Sequence, residues 1–282
     1  MNPTAMAWHA GWSRGLIELR QSFTNGGDIL NHLFWPVLML VTTFLMRDVS
    51  FGQTGFSLGM LVLPSILGMN ASMSMITMSQ LLTVDREDGT LLRAKATPNG
   101  MLGYLVGKIV SVSGGLLADL AIFLIPSLFI ISGLTVGNAG SWLTLAWVLA
   151  LGLVATLPIG AVLGSVFSNA RGQGLLMLPI LGMIAISGVF YPITVMPDWV
   201  QGIAQVFPIY WLGLGMRSAL LPDSAVSVEI GESWRHLETV GVLGAWAVLG
   251  FVLAPIVLRR MARRESGSSV AERREKALQR VA

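Results

Sequence analysis

A chain of 282 residues with 54% hydrophobic and 12% charged residues is too poor in charge for a soluble domain, where about 25% is usual. Its charges are clustered, leaving apolar runs of about 18 residues or more, long enough to cross a bilayer. With no cysteine, disulfide frameworks, thiolate metal sites and cysteine nucleophiles are excluded.

In residues 1–28, Trp8, Trp12, Leu16, Leu19 and Phe23 recur at helical spacing, while Arg14, Glu18 and Gln21 fall elsewhere on the wheel. This predicts an amphipathic helix lying in the membrane interface, either a plain anchor or an element that transmits force. The segment has no continuous apolar core, so no cleavable leader is expected. A membrane domain over 29–258 follows, with spans predicted at Ile29 to Met46, Ser57 to Leu82, Leu105 to Ser132, Trp142 to Phe167, Leu175 to Tyr191 and Thr239 to Leu258. The fold class is an all-α membrane protein with six transmembrane helices.

Charge supports this count. Arg14, Arg20, Arg86, Arg93, Lys95, Lys108 and Arg171 fall on the side of the basic tail (259–282), which holds Arg259, Arg260, Arg263, Arg264, Arg273, Arg274, Lys276 and Arg280. Arg47, Arg217 and Arg235 fall opposite. The positive-inside rule then puts both termini in the cytoplasm. Between the fifth and sixth spans, Pro192 to Pro222 is apolar but broken by Pro197 and Pro208. Its two pieces of roughly 10 to 14 residues are too short to cross, so they are read as short re-entrant or interfacial helices on the outer face, shielded by protein.

Within the spans, Asn70, Ser72, Ser74, Thr77 and Gln80 alternate with Met69, Met73, Met75 and Met78, and Asn70, Ser74 and Thr77 share one helical face. That face lines a substrate path or hydrogen-bonds a neighbouring helix. Asp119, deep in the third span, binds a cation or proton or is held structurally. His32 is a proton carrier or a packing residue. Spacings of GxxxG occur at Gly103 and Gly107 and at Gly160 and Gly164, the pattern of close helix packing. His9 and His236 lie far apart in this topology, so no metal site is expected.

The connector after the second span places Asp85, Glu87 and Asp88 before, and Arg93 and Lys95 toward the end of, a short helix stopped by Pro98 and Gly100. That polarity suits the helix dipole. The connector is a solvated loop or a docking peg, with Thr90, Leu91 and Leu92 as apolar contact. No G-x-x-x-x-G-K-[ST] phosphate loop occurs in the chain.

The string DREDGTLLRAKATP, residues 85–98, resembles the cytoplasmic coupling segment of type-2 ABC transporter permeases, in the drug-resistance exporter branch that includes daunorubicin-resistance-like permeases. A second block, residues 187–221, is similar to what that family carries after its fifth span: Tyr191 and Pro192, then Met196, Pro197 and Trp199, then Pro208, Tyr210, Trp211 and Arg217. The resemblance implies a non-catalytic half-transporter in a bacterial plasma membrane, paired with a second permease copy or homologue. It also implies two ABC ATPase subunits, which hold the ATP and Mg while this chain binds no cofactor. Asp85, Arg86, Glu87, Gly89, Thr90, Leu92 and Arg93 become the ATPase-coupling candidates. Tyr191, Pro192, Pro197, Pro208 and Arg217 become the outer closure, and Asn70, Ser74, Thr77, Asp119 and Phe190 the substrate path. Membrane lipid is a partner and nucleic acid is not. Export of a drug, lipid or other amphipathic cargo is the leading reading, with antibiotic efflux within its range. The alternative is a proton-coupled secondary transporter using Asp119 and His32.

Overall fold

The computed structural model describes residues 2–50, 55–166 and 170–264; the tail from 265 on, with Arg273, Arg274, Lys276 and Arg280, lies outside the described residues. The described residues form ten α-helices, in order: α1 Pro3–Ser22, α2 Gly26–Leu45, α3 Leu58–Glu87, α4 Thr90–Lys95, α5 Gly100–Ile130, α6 Ala139–Val166, α7 Ala170–Ile186, α8 Asp198–Val206, α9 Pro208–Leu220 and α10 His236–Arg264. Local chemistry sets several starts. Asn2 Oδ1 accepts from Thr4 N ahead of Pro3, Ser57 caps α3 through Met60 N, and Pro208 opens α9, each supplying or sparing an N-terminal donor.

Among the described residues, five helices, α2, α3, α5, α6 and α10, are long and apolar enough to cross a membrane. The expected fifth span, α7, has 17 residues and falls short of that length, at about 26 Å by the 1.5 Å rise per residue. An internal proline occurs in each of α2, α3, α5, α6, α7 and α10. In membrane bundles, neighbouring helices and side chains satisfy the backbone groups a proline frees.

The bundle is built around α3. Of its most apolar window 83% is buried, against 11% for α2, so α2 presents its apolar surface outward. Helix α6 runs beside α3 in the same direction: an added Cβ at Gly160 would come 2.3 Å from Met75 O, and at Gly164 2.6 Å from Ser79 O. Nothing larger than glycine fits there, and the GxxxG pair is a packing seam. The Gly103 and Gly107 pair forms a second seam, with a partner the sequence reading did not name. Helix α1 lies lengthwise along α5 in the same direction, Gly11 against Gly103 O at 2.4 Å and Gly15 against Gly107 O at 2.6 Å for an added Cβ. The buried face of α1 is therefore Ala7, Gly11 and Gly15, while Trp8, Trp12 and Leu16 face outward.

Leu91 and Ala94 of α4 pack in one apolar cluster with Tyr104 of α5 and Leu258 and Met261 of α10. The start of α1 and the end of α10 thus share one end of the bundle with α4. At the opposite end, Thr135 N donates to Leu220 O at 2.8 Å, tying the end of α9 to the α5–α6 turn. Helices α8 and α9 form a hairpin whose tip, Phe207–Pro208, lies against Trp246, the indole Nε1 donating to Val206 O at 2.8 Å.

Candidate functional site

Three groups of polar residues stand out, one at the α4 end, one between the long helices and one at the far end. At the α4 end, the last turn of α3 brings Asp85 under α5. Lys108 Nζ lies 2.9 Å from Asp85 Oδ2 and 3.0 Å from Glu18 Oε2 of α1, and the Tyr104 hydroxyl donates to Asp85 Oδ2 at 2.7 Å. Arg14 completes the row through Glu18 Oε1 at 3.0 Å. The Lys108 side chain is 7% exposed and that of Asp85 11%, a depth at which charges persist only when paired. Three helices are fastened together here, and Asp85 serves as an internal fastening.

The connector itself turns at Gly89, whose φ of 80° is the left-handed region that glycine enters without a Cβ clash. Thr90 N donates to Asp88 Oδ1 at 2.7 Å, and Arg93 Nη2 donates to Thr90 Oγ1 at 2.9 Å. Arg86 Nη1 reaches Ser165 O at 3.3 Å. Thr90 and Leu91 face inward, Leu91 only 1% exposed, and Leu92 is half-buried. The apolar face expected to meet a partner is therefore largely turned into the chain's own core. The outward charges are Glu87, Asp88, Arg93 and Lys95, and Ala96 to Asn99 are exposed beside them.

Between the helices, the predicted path residues have different surroundings. Ser74 is buried and shares a 2.8 Å hydrogen bond with Thr156 of α6, while Asn70 Nδ2 donates to Ile66 O at 2.9 Å and the exposed Thr77 bonds Met73 O. Gln173 of α7 donates to Thr83 Oγ1 at 2.9 Å and to Ser79 Oγ at 3.0 Å, a bridge absent from the sequence reading. Asp119 meets His32, so the two ionisable groups predicted separately in the first and third spans form one pair. Phe190 lies exposed beyond α7.

At the far end, Arg217 is 4% and Glu229 2% exposed in their side chains, and Arg217 Nε lies 2.6 Å from Glu229 Oε1. Nη2 donates to Oε2 at 3.2 Å, making the pair bidentate. Nη1 donates to Ser65 Oγ at 2.9 Å and to Gly188 O at 3.3 Å. Tyr191 donates its hydroxyl to Ala185 O. Pro192 is buried beside it, Pro197 caps α8 and Pro208 starts α9. Glu229 and Ser65 were not picked out from sequence; Glu229 is one of three acids, with Asp223 and Glu232, in the connector after α9, and nothing local marks it as the one that meets Arg217.

Residues 40–256 match the family model described as ABC-2 family transporter protein, and the chain belongs to that family. It is a multi-pass membrane subunit, the permease of an ABC transporter. No curated protein matches it.

Proposed function

We propose that this chain is the membrane half of an ATP-driven exporter of the drug-resistance branch, moving an amphipathic drug or lipid out of a bacterial cell. Two separate ABC ATPase subunits would supply ATP and Mg, and a second copy or homologue of this permease would complete the pathway. The observation that carries this reading is the network at the α4 end. Lys108 joins α1, the end of α3 and the start of α5 beside a connector whose outward charged residues are Glu87, Asp88, Arg93 and Lys95. A motor pressing on the connector would move all three helices together.

In this reading α7 is the fifth of six crossings. Gln173 sits level with Ser79 and Thr83 of α3, and the turn just beyond α7, at Gly188, is level with Ser65 through Arg217. From Thr83 to Ser65 is about 27 Å along α3, close to the hydrocarbon thickness. Six crossings agree with a first and last helix that share the α4 end, and the basic tail supports reading that end as cytoplasmic. Helix α5, about 46 Å long, exceeds the membrane core by about 16 Å, and α1 runs lengthwise beside the α4-end portion of α5. The α8–α9 hairpin re-enters from outside. Its prolines, with Tyr191 and Arg217, close the exit, and spans two and five flank the path.

The test is uptake of a fluorescent amphipathic cation into inverted vesicles holding the permease with and without its ATPase. ATP-dependent uptake only with both chains is expected. The contact between His32 and Asp119 favours the proton-coupled alternative, and uptake by permease alone under a pH gradient would establish that alternative and overturn the first reading.

A further inference from the structure

We infer that Arg217 and Glu229 form a latch sealing an outward route between α3 and the turn after α7; the inference rests on reading that end as the exit. The seam they close has apolar walls, Leu61 and Val62 on one side and Phe190, Pro192 and Val228 on the other. Its free volume is about 10 Å³, room for about one water. Apolar walls adhere through dispersion in many registers, and an amphipathic molecule can replace either wall. The ion pair has one geometry. The Arg217 guanidinium on α9 is the hub: it holds Glu229, which stands in extended backbone between two 3-10 turns just beyond α9, and its Nη1 reaches across the seam to Ser65 on α3 and Gly188 in the turn beyond α7. Gly188 has φ of 70°, a conformation open to glycine and strained for other residues, so the wall it carries is mounted on a sharp reversal.

Energetics are compatible with a latch. A buried ion pair adds little net stability compared with apolar residues of the same size, because both charges must be stripped of water. On opening, both charges regain water, so a closed paired state and an open hydrated state lie close in free energy. The route suits a cargo with an apolar body, whose polar end Ser65, Arg217 and Glu229 would meet.

The chain has no cysteine, so a single introduced thiol reports on the seam. Val62→Cys, 3% exposed in the closed form, and Leu82→Cys, 1% exposed at the α4 end, are treated with a charged maleimide on the purified permease in nanodiscs. Both should resist labelling in the otherwise unaltered chain. Adding Glu229→Gln should raise labelling of Val62→Cys at least about tenfold by favouring local opening, with Leu82→Cys still protected. Arg217→Lys, which loses the planar fork, should give a smaller increase. Unchanged protection at Val62→Cys overturns the latch, and so does equal labelling of both reporters, which would make the pair a fastener of the whole fold. The assay needs neither ATPase nor cargo, so its failure leaves the proposed ATP coupling standing.

Discussion

His32 and Asp119, 87 residues apart in the chain, meet at 2.5 Å between α2 and α5, and Phe23 stacks on the His32 ring at a centroid distance of 4.4 Å. The pair fastens an otherwise outward-facing helix to the bundle. A double-mutant cycle with Asp119→Asn and His32→Gln should give a coupling energy of about 0.5 to 3 kcal/mol in unfolding. In transport, Asp119→Asn should slow a cationic amphiphile more than a neutral one. Equal loss for both would leave the pair with helix packing alone.

Lys108 separates two carboxylates that would otherwise face each other across α1 and α3. Lys108→Met should cost about 3 to 5 kcal/mol, because it leaves buried charge unpaired. Glu18→Gln, at a more exposed partner, should cost about 1 kcal/mol. Unfolding in detergent measures both. Hydrogen exchange should rise along α1 in each variant, and α1 protection equal to that of the unaltered chain would break the assigned link.

Glu87 and Arg93 point outward from the connector. Reversing both, Glu87→Lys with Arg93→Glu, should leave stability within about 0.5 kcal/mol while abolishing co-purification of the ATPase. A complex that survives the double reversal would take these residues out of the docking surface.

Two glycines make a matched comparison. A Cβ at Gly160 would sit 2.3 Å from Met75 O, whereas one at Gly174 meets nothing within 4 Å. Gly160→Ala should push α6 off α3 and lower the melting temperature. Gly174→Ala should be neutral or stabilising by up to about 1 kcal/mol, from helix propensity. Equal effects at the two positions would argue against the seam.

Helix positions were legible because lipid enforces long apolar runs. The expected span Ser57 to Leu82 became α3, Leu58–Glu87, and Thr239 to Leu258 became α10, His236–Arg264, each helix continuing past its apolar stretch into polar turns. Depth within the bundle was not legible. The windows of α2 and α3 have the same mean hydropathy, 1.4, yet α2 faces out and α3 is the core, because a membrane offers no polar solvent to mark the outward face. The charge pairs were hidden for a related reason. Lys108 and Arg217 entered the sequence reading through the sidedness rule and the family resemblance, and which acids neutralise them depends on helix contacts spanning up to 90 positions. The inward turn of Leu91 likewise follows from the ends of α5 and α10 arriving beside α4, which no local pattern encodes.

Helix α4 is bracketed by two left-handed residues, Gly89 at φ 80° and Asn99 at φ 52°. In a six-residue helix nearly all rotational freedom resides at such joints, so α4 is suited to tilt as one rigid rocker between α3 and α5. Its stiffness as a lever would then be adjustable from Asn99 without touching a contact residue: Asn99→Gly would loosen the pivot, and a β-branched residue there would strain it.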